Sequence, residues 1–70
     1  MNFITDKNGK ILRVGDMVHD DWGYDLIVQR EEDGDGYNGK LVCDKNDSCA
    51  NIPYCLVSEE ITFVKHTNLN

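Results

Sequence analysis

The chain predicts a small all-β protein, an antiparallel barrel of five to six short strands with a short helical turn near Ile52-Tyr54. Three observations carry that expectation. Short β-prone apolar runs recur along the sequence. Clusters of Gly, Asn and Asp separate them at intervals of roughly eight to twelve residues, and no stretch shows the 3.6-residue period of a helix. Seventy residues hold at most one domain, because a chain this short buries only about 60% of the surface it exposes when unfolded. The domain is placed at 1–65, with 66–70 as a frayed tail.

Phe3-Ile4-Thr5 and Ile11-Leu12-Arg13-Val14 flank Asp6-Lys7-Asn8-Gly9-Lys10. Asn-Gly between two such runs predicts a hairpin, since both residue types accept positive φ. Gly15-Asp16 interrupts the pattern and Met17-Val18-His19 resumes it. From Tyr24 to Arg30 the alternation puts Tyr24, Leu26 and Val28 on one face, the expected core side. Ile27 then faces the opposite way, toward a partial cover or toward solvent. Glu31 to Gly39, with three glycines and four acids, reads as an exposed hairpin loop, and Lys40 to Asp44 as the return strand. Ile52-Pro53-Tyr54 suits a single helical turn, because proline is tolerated in a first turn. Ile61 to Lys65 closes the set. The expected core is Ile11, Val14, Val18, Leu26, Val28, Val42, Ile61 and Phe63.

Seven Lys and Arg stand against thirteen Asp and Glu, for a net charge of −6. That balance opposes direct nucleic-acid binding, which needs cations to displace counterions. The charge is uneven. Residues 1–15 hold three bases and one acid, whereas Asp16 to Tyr37 hold eight acids and only Arg30, a net of −7. The N-terminus lacks a basic stretch followed by an apolar run, and no apolar stretch approaches the ~20 residues of a membrane span. An odd count of three cysteines fits a reducing compartment. A cytoplasmic protein is therefore expected, with no membrane partner and the Asn46-Asp47-Ser48 sequon unused.

Val14-Gly15-Asp16-Met17-Val18, followed by an aromatic-glycine step and Leu26-Ile27-Val28, resembles the "VGDxV" opening of SH3-like barrels, including KOW-type modules. The turn at Ile52-Pro53-Tyr54 before Leu56-Val57 is similar to the short helical turn that precedes the final SH3 strand. The resemblance spans about Ile11 to Val64 and implies the barrel fold. Nucleic-acid binding does not carry over, because the KOW modules that bind RNA are generally basic and this lobe is acidic. The paired-tyrosine and double-tryptophan patterns of peptide-binding SH3 domains are also missing; only Trp22, Tyr24, Tyr37 and Tyr54 are available.

Trp22 falls in a short connection beside Gly23, where a tryptophan either folds over the barrel rim or stands out as an interface anchor. Asp20, Asp21 and Asp25 flank it as a polar rim. Cys43, Cys49 and Cys55 have five residues between each pair, unlike the tight pairs of zinc sites. Cys43 reads as a strand residue, Cys55 as a small buried apolar one and Cys49 as an exposed thiol. His19 and His66 have no identifiable catalytic or metal partners. Asp33-Gly34-Asp35-Gly36-Tyr37-Asn38 and Asp44-Lys45-Asn46-Asp47-Ser48 approach calcium-loop spacing. Both fail at the sixth position, where Asn38 and Cys49 replace the required glycine, and in the second Cys55 also stands where a bidentate glutamate belongs. No catalytic residue, metal or cofactor is expected.

Two functions fit. The first is a non-catalytic protein-interaction module or accessory subunit, contacting a protein partner through the loops around Trp22 and Tyr37. The second is a small acidic inhibitor, of the kind phages and mobile elements encode, whose negative lobe occupies the basic groove of a nucleic-acid-processing enzyme.

Overall fold

The hairpin anticipated around Asn8-Gly9 forms, and it rests on one aspartate. In a computed structural model describing residues 3–31, 34, 36–42 and 53–67, β1 (Ile4–Thr5) pairs antiparallel with β2 (Ile11–Leu12), Ile4 opposite Leu12 and Thr5 opposite Ile11. Gly9 N donates to Asp6 O (3.0 Å) and Asp6 N to Lys10 O (2.9 Å), a tight turn followed by one left-handed residue, Gly9 at φ +84°. Asn8 keeps a negative φ, so only the glycine of the Asn-Gly pair takes the left-handed conformation. Asp6 Oδ1 accepts from Asn8 N and Lys10 N, both at 2.9 Å.

The main sheet contains β3 (Asp16–Asp20), β4 (Asp25–Arg30), β5 (Tyr37–Leu41), β6 (Tyr54–Cys55) and β7 (Ile61–His66), in the order β6-β5-β4-β3-β7, all neighbours antiparallel. The class is all-β, with seven strands among the described residues rather than five or six. The extra strand is β6, whose two residues are too few to register in a sequence pattern. No helix among the described residues is long and apolar enough to cross a membrane.

Register decides what is buried. Val18 pairs with Leu26 and Phe63, and Leu26 with Leu41, so one face of the sheet carries Val18, Leu26, Val28 and Ile61, closed by Leu12 from the hairpin. Ile4, Tyr37, Leu41, Leu56 and Phe63 pack against these residues from the margin. Three expected core residues lie outside. Ile11 is 63% exposed because its neighbour Leu12 takes the inward position opposite Ile4. Val14 is exposed in the turn where Asp16 N donates to Arg13 O, and Val42 is exposed just past the end of β5. Tyr24 also leaves the core face, since it closes a turn before β4 begins. Ile27 does point to the second face, opposite Met17 and Lys40, yet it is only 6% exposed.

The return strand starts at Tyr37, three residues earlier than expected, because the glycine-rich stretch ends at Gly36 and Gly39 is a strand residue. A Cβ on Gly39 would stand 2.8 Å from Leu56 Cδ2 and 3.1 Å from Leu26 Cβ, so glycine is what lets Leu56 reach the core. The helical turn lies at Ser58–Glu60, not at Ile52-Tyr54: Tyr54 belongs to β6, and Ile52 lies outside the described residues. Cys55 is exposed on β6 rather than buried, while Cys43 and Cys49, the sequon and the second calcium-like stretch lie outside the described residues. Strand β7 reaches His66, and Thr67 N donates to Gly15 O (2.8 Å), so pairing continues into the segment expected to fray.

Candidate functional site

Asp20-Asp21-Trp22-Gly23-Tyr24, which joins β3 to β4, repeats the first hairpin turn bond for bond. Asp20 N donates to Tyr24 O (3.0 Å) and Gly23 N to Asp20 O (3.3 Å), while Asp20 Oδ1 accepts from Trp22 N (3.0 Å) and Tyr24 N (2.8 Å). Gly23 supplies the left-handed residue at φ +92°. The two turns share the pattern Asp-x-x-Gly-x because each needs a short carboxylate to hold two inner N–H groups and a glycine to reverse the chain. Lys7 and Asp21 join them by an ion pair of 2.9 Å.

That rigid turn holds Trp22 77% exposed at its tip. Tyr24, at the same end, is 47% exposed, and Tyr54, 38% exposed and paired with Gly39 level with Val28, approaches it with ring centroids 6.1 Å apart and planes tilted by 32°. Such a spacing lies within the favourable range for aromatic pairs. Val42, exposed and bonded through its N–H to Asp25 O (3.0 Å), holds the end of β5 against this region. The result is a tyrosine pair beside exposed Val42, with Trp22 exposed at the tip of the neighbouring hydrogen-bonded turn.

The anticipated site residues separate into three situations. Trp22, Asp21 and Asp25 belong to the β3–β4 end, Asp25 facing His19 Nδ1 across the strands at 2.9 Å. Asp20 is there too, but one of its oxygens is committed to the turn's backbone. Tyr37 is elsewhere. It pairs with Arg30 at the far end of β4, packs against the core, and has the Arg30 guanidinium 5.9 Å from its ring centre. With β4 rising about 3.3 Å per residue, Trp22 and Tyr37 mark opposite ends of the sheet. Tyr24 and Tyr54 are the residues that sequence reasoning missed: alternation put Tyr24 on the core side, and Tyr54 lies thirty residues from it, so that only the β5–β6 pairing brings it over.

A second polar centre ties the first and last strands of the main sheet. Buried Asp16 accepts from Arg13 N at 3.0 Å, and its Oδ1 lies 2.6 Å from His66 Nδ1. The Thr67 hydroxyl donates to Gly15 O. These contacts are structural, fastening the end of β7 beside the start of β3. Buried Asp6 does the same at the other end of β7, and its carboxyl is held below the ordinary carboxylate value, chiefly by the Phe63 N–H, against desolvation that opposes the shift, with the Lys10 and Asn8 N–H groups adding to it. Among the described residues, no three His, Cys, Asp or Glu side chains converge as a metal site would require.

The fold and this end together define a small all-β protein with a rigidly presented aromatic surface. Comparison with protein-family models, with curated proteins and with solved structures finds no match in any of the three.

Proposed function

We propose that the protein is a non-catalytic interaction module that binds a protein partner through its β3–β4 end, with Trp22 as the anchor and Tyr24 and Tyr54 beside it. One observation carries this reading: a tryptophan 77% exposed on a turn held by four backbone-linked hydrogen bonds. Exposed aromatics dominate interface energetics, and a pre-ordered backbone lowers the entropy cost of binding. An SH3-like frame is consistent with the 3-10 turn directly before the closing strand, although it falls further along the chain than the resemblance implied. The acidic-inhibitor reading has weaker support, because Asp16 is buried and the other described acids of the lobe divide between the two ends of the sheet.

The test places a photo-crosslinking amino acid at position 22, and separately at exposed Gln29, in the full chain produced in its own cells. A partner captured at position 22, absent at position 29 and competed away by unmodified protein but not by Trp22→Ala, is the expected result. Equal capture at both positions, or none at position 22, would reject the reading.

A further inference from the structure

We infer that the Trp22, Tyr24 and Tyr54 surface receives an arginine side chain presented by an exposed segment of the protein partner. This rests on the proposed interaction site and adds the chemistry of what it recognises. The protein already shows how it uses its aromatic rings. Lys10 Nζ stands 4.5 Å from the centre of Phe63 and Arg30 lies over Tyr37, whereas none of the described cations stands over Trp22, Tyr24 or Tyr54. Among the described residues, these three rings therefore have exposed faces and no cation of their own.

The charges around them favour one that comes from outside. Among the described residues Asp20, Asp21 and Asp25 stand at this end, with Lys7 paired to Asp21 and His19 beside Asp25. Each carboxylate uses only one oxygen: Asp20 Oδ1 on the turn, Asp21 Oδ1 on Lys7 and Asp25 Oδ1 on His19. Among the described residues the Oδ2 atoms of Asp20 and Asp21, beside Trp22, have no partner, while Asp25 alternates with buried Leu26 and lies with His19 on the other face of the sheet. An apolar partner would bury these acceptors unpaired, at a cost that opposes binding. A polyanion would be repelled.

A cationic side chain meets both demands, and arginine meets them better than lysine. Its planar guanidinium stacks on an aromatic face while its edge donates to a carboxylate, whereas the ammonium of lysine is a strongly hydrated point charge. The surface lies on a protruding turn, so the arginine is best delivered by an extended segment able to lie along the sheet end.

The test titrates the isotopically labelled full chain with three unstructured Gly/Ser peptides that differ only in carrying two arginines, two lysines or two glutamines. The expected result is saturable amide shifts confined to Trp22, Gly23, Tyr24 and Tyr54. The arginine peptide should bind about 3- to 10-fold more tightly than the lysine peptide, and the glutamine peptide not at all. Tyr24→Leu and Trp22→Leu keep apolar bulk but remove the ring face, and each should bring arginine affinity down to the lysine level with the melting curve unchanged. Equal affinity for arginine and lysine peptides, insensitivity to both substitutions, or shifts centred elsewhere would overturn the inference. A partner crosslinked at position 22 through a segment without arginine would also overturn it while leaving the proposed interaction site standing. Arginine-selective peptide binding with no crosslink at position 22 would reject the proposed site alone.

Discussion

Asp6 accepts a hydrogen bond from Phe63 N at 3.0 Å through Oδ2, across fifty-seven residues of sequence. The same carboxylate organises its own turn through Oδ1, and Lys7 N donates to Ile61 O at 2.8 Å. One side chain thus shapes the first hairpin and clamps that hairpin onto the outer edge of the last strand.

Asp6→Ala should cost about 2 to 4 kcal/mol, because three backbone N–H groups lose an anionic acceptor. Urea unfolding measures the loss, and faster amide exchange at Phe63 locates it. The pH dependence follows from the lowered carboxyl. The unfolded state takes up the proton first, so this stabilisation is complete above the ordinary value of 3.8 and disappears as pH falls through the lower folded value. The stability difference between the protein and Asp6→Ala should shrink on acidification below about pH 4.

Leu26→Ala should cost about 2 to 5 kcal/mol, since Leu26 is buried against Val18 and Leu41. Ile11→Ala, at a site that is mostly solvent, should stay within about 0.5 kcal/mol. Equal effects in denaturant melts would contradict the register of β1 and β2.

Gly39→Ala should destabilise by about 1 to 3 kcal/mol through overpacking against Leu56 and Leu26. Gly9→Ala and Gly23→Ala act by another route. Nothing lies within 4 Å of either added Cβ, so only the left-handed backbone opposes them, at about 1 to 2 kcal/mol each and nearly equally. Thermal melts of the three variants separate crowding from backbone strain.

Once a partner is in hand, Trp22→Ala should leave stability within about 0.5 kcal/mol and raise the dissociation rate at every salt concentration. Asp21→Asn with Asp25→Asn should slow association and flatten its salt dependence, because these charges steer the encounter. Asp20 is left out of that pair, since Asp20→Asn would also disturb the turn. Stopped-flow kinetics at two ionic strengths checks both outcomes.

The strands that alternation marks well, β3 and β4, appear where the sequence indicates, with Val18, Leu26 and Val28 on the buried face. Alternation fails where a run is too short to show phase: over Ile11-Leu12-Arg13-Val14 the inward residue is Leu12, and only the pairing with Ile4 determines that. Glycine misled in β5, since Gly39 resembles loop composition although the close approach of Leu56 requires it there. Trp22 was legible as a turn residue beside Gly23, but its exposure was not. The long-range partners, Tyr54 for Tyr24, Lys7 for Asp21 and His66 for Asp16, depend on strand order, which leaves no local trace.

The duplicated Asp-x-x-Gly-x turn divides labour within five residues. Aspartate and glycine do the folding in both copies, while the two positions between them differ freely, Lys7-Asn8 in one and Asp21-Trp22 in the other. Position 22 behaves as a display position, whose side chain takes no part in the turn's hydrogen bonds, whereas Lys7 and Asp21 tie the two copies together. Trp22→Asn, with Asp21 kept opposite Lys7, would give a silent version of the surface on an intact scaffold, and other residues at position 22 would turn the same scaffold toward other targets.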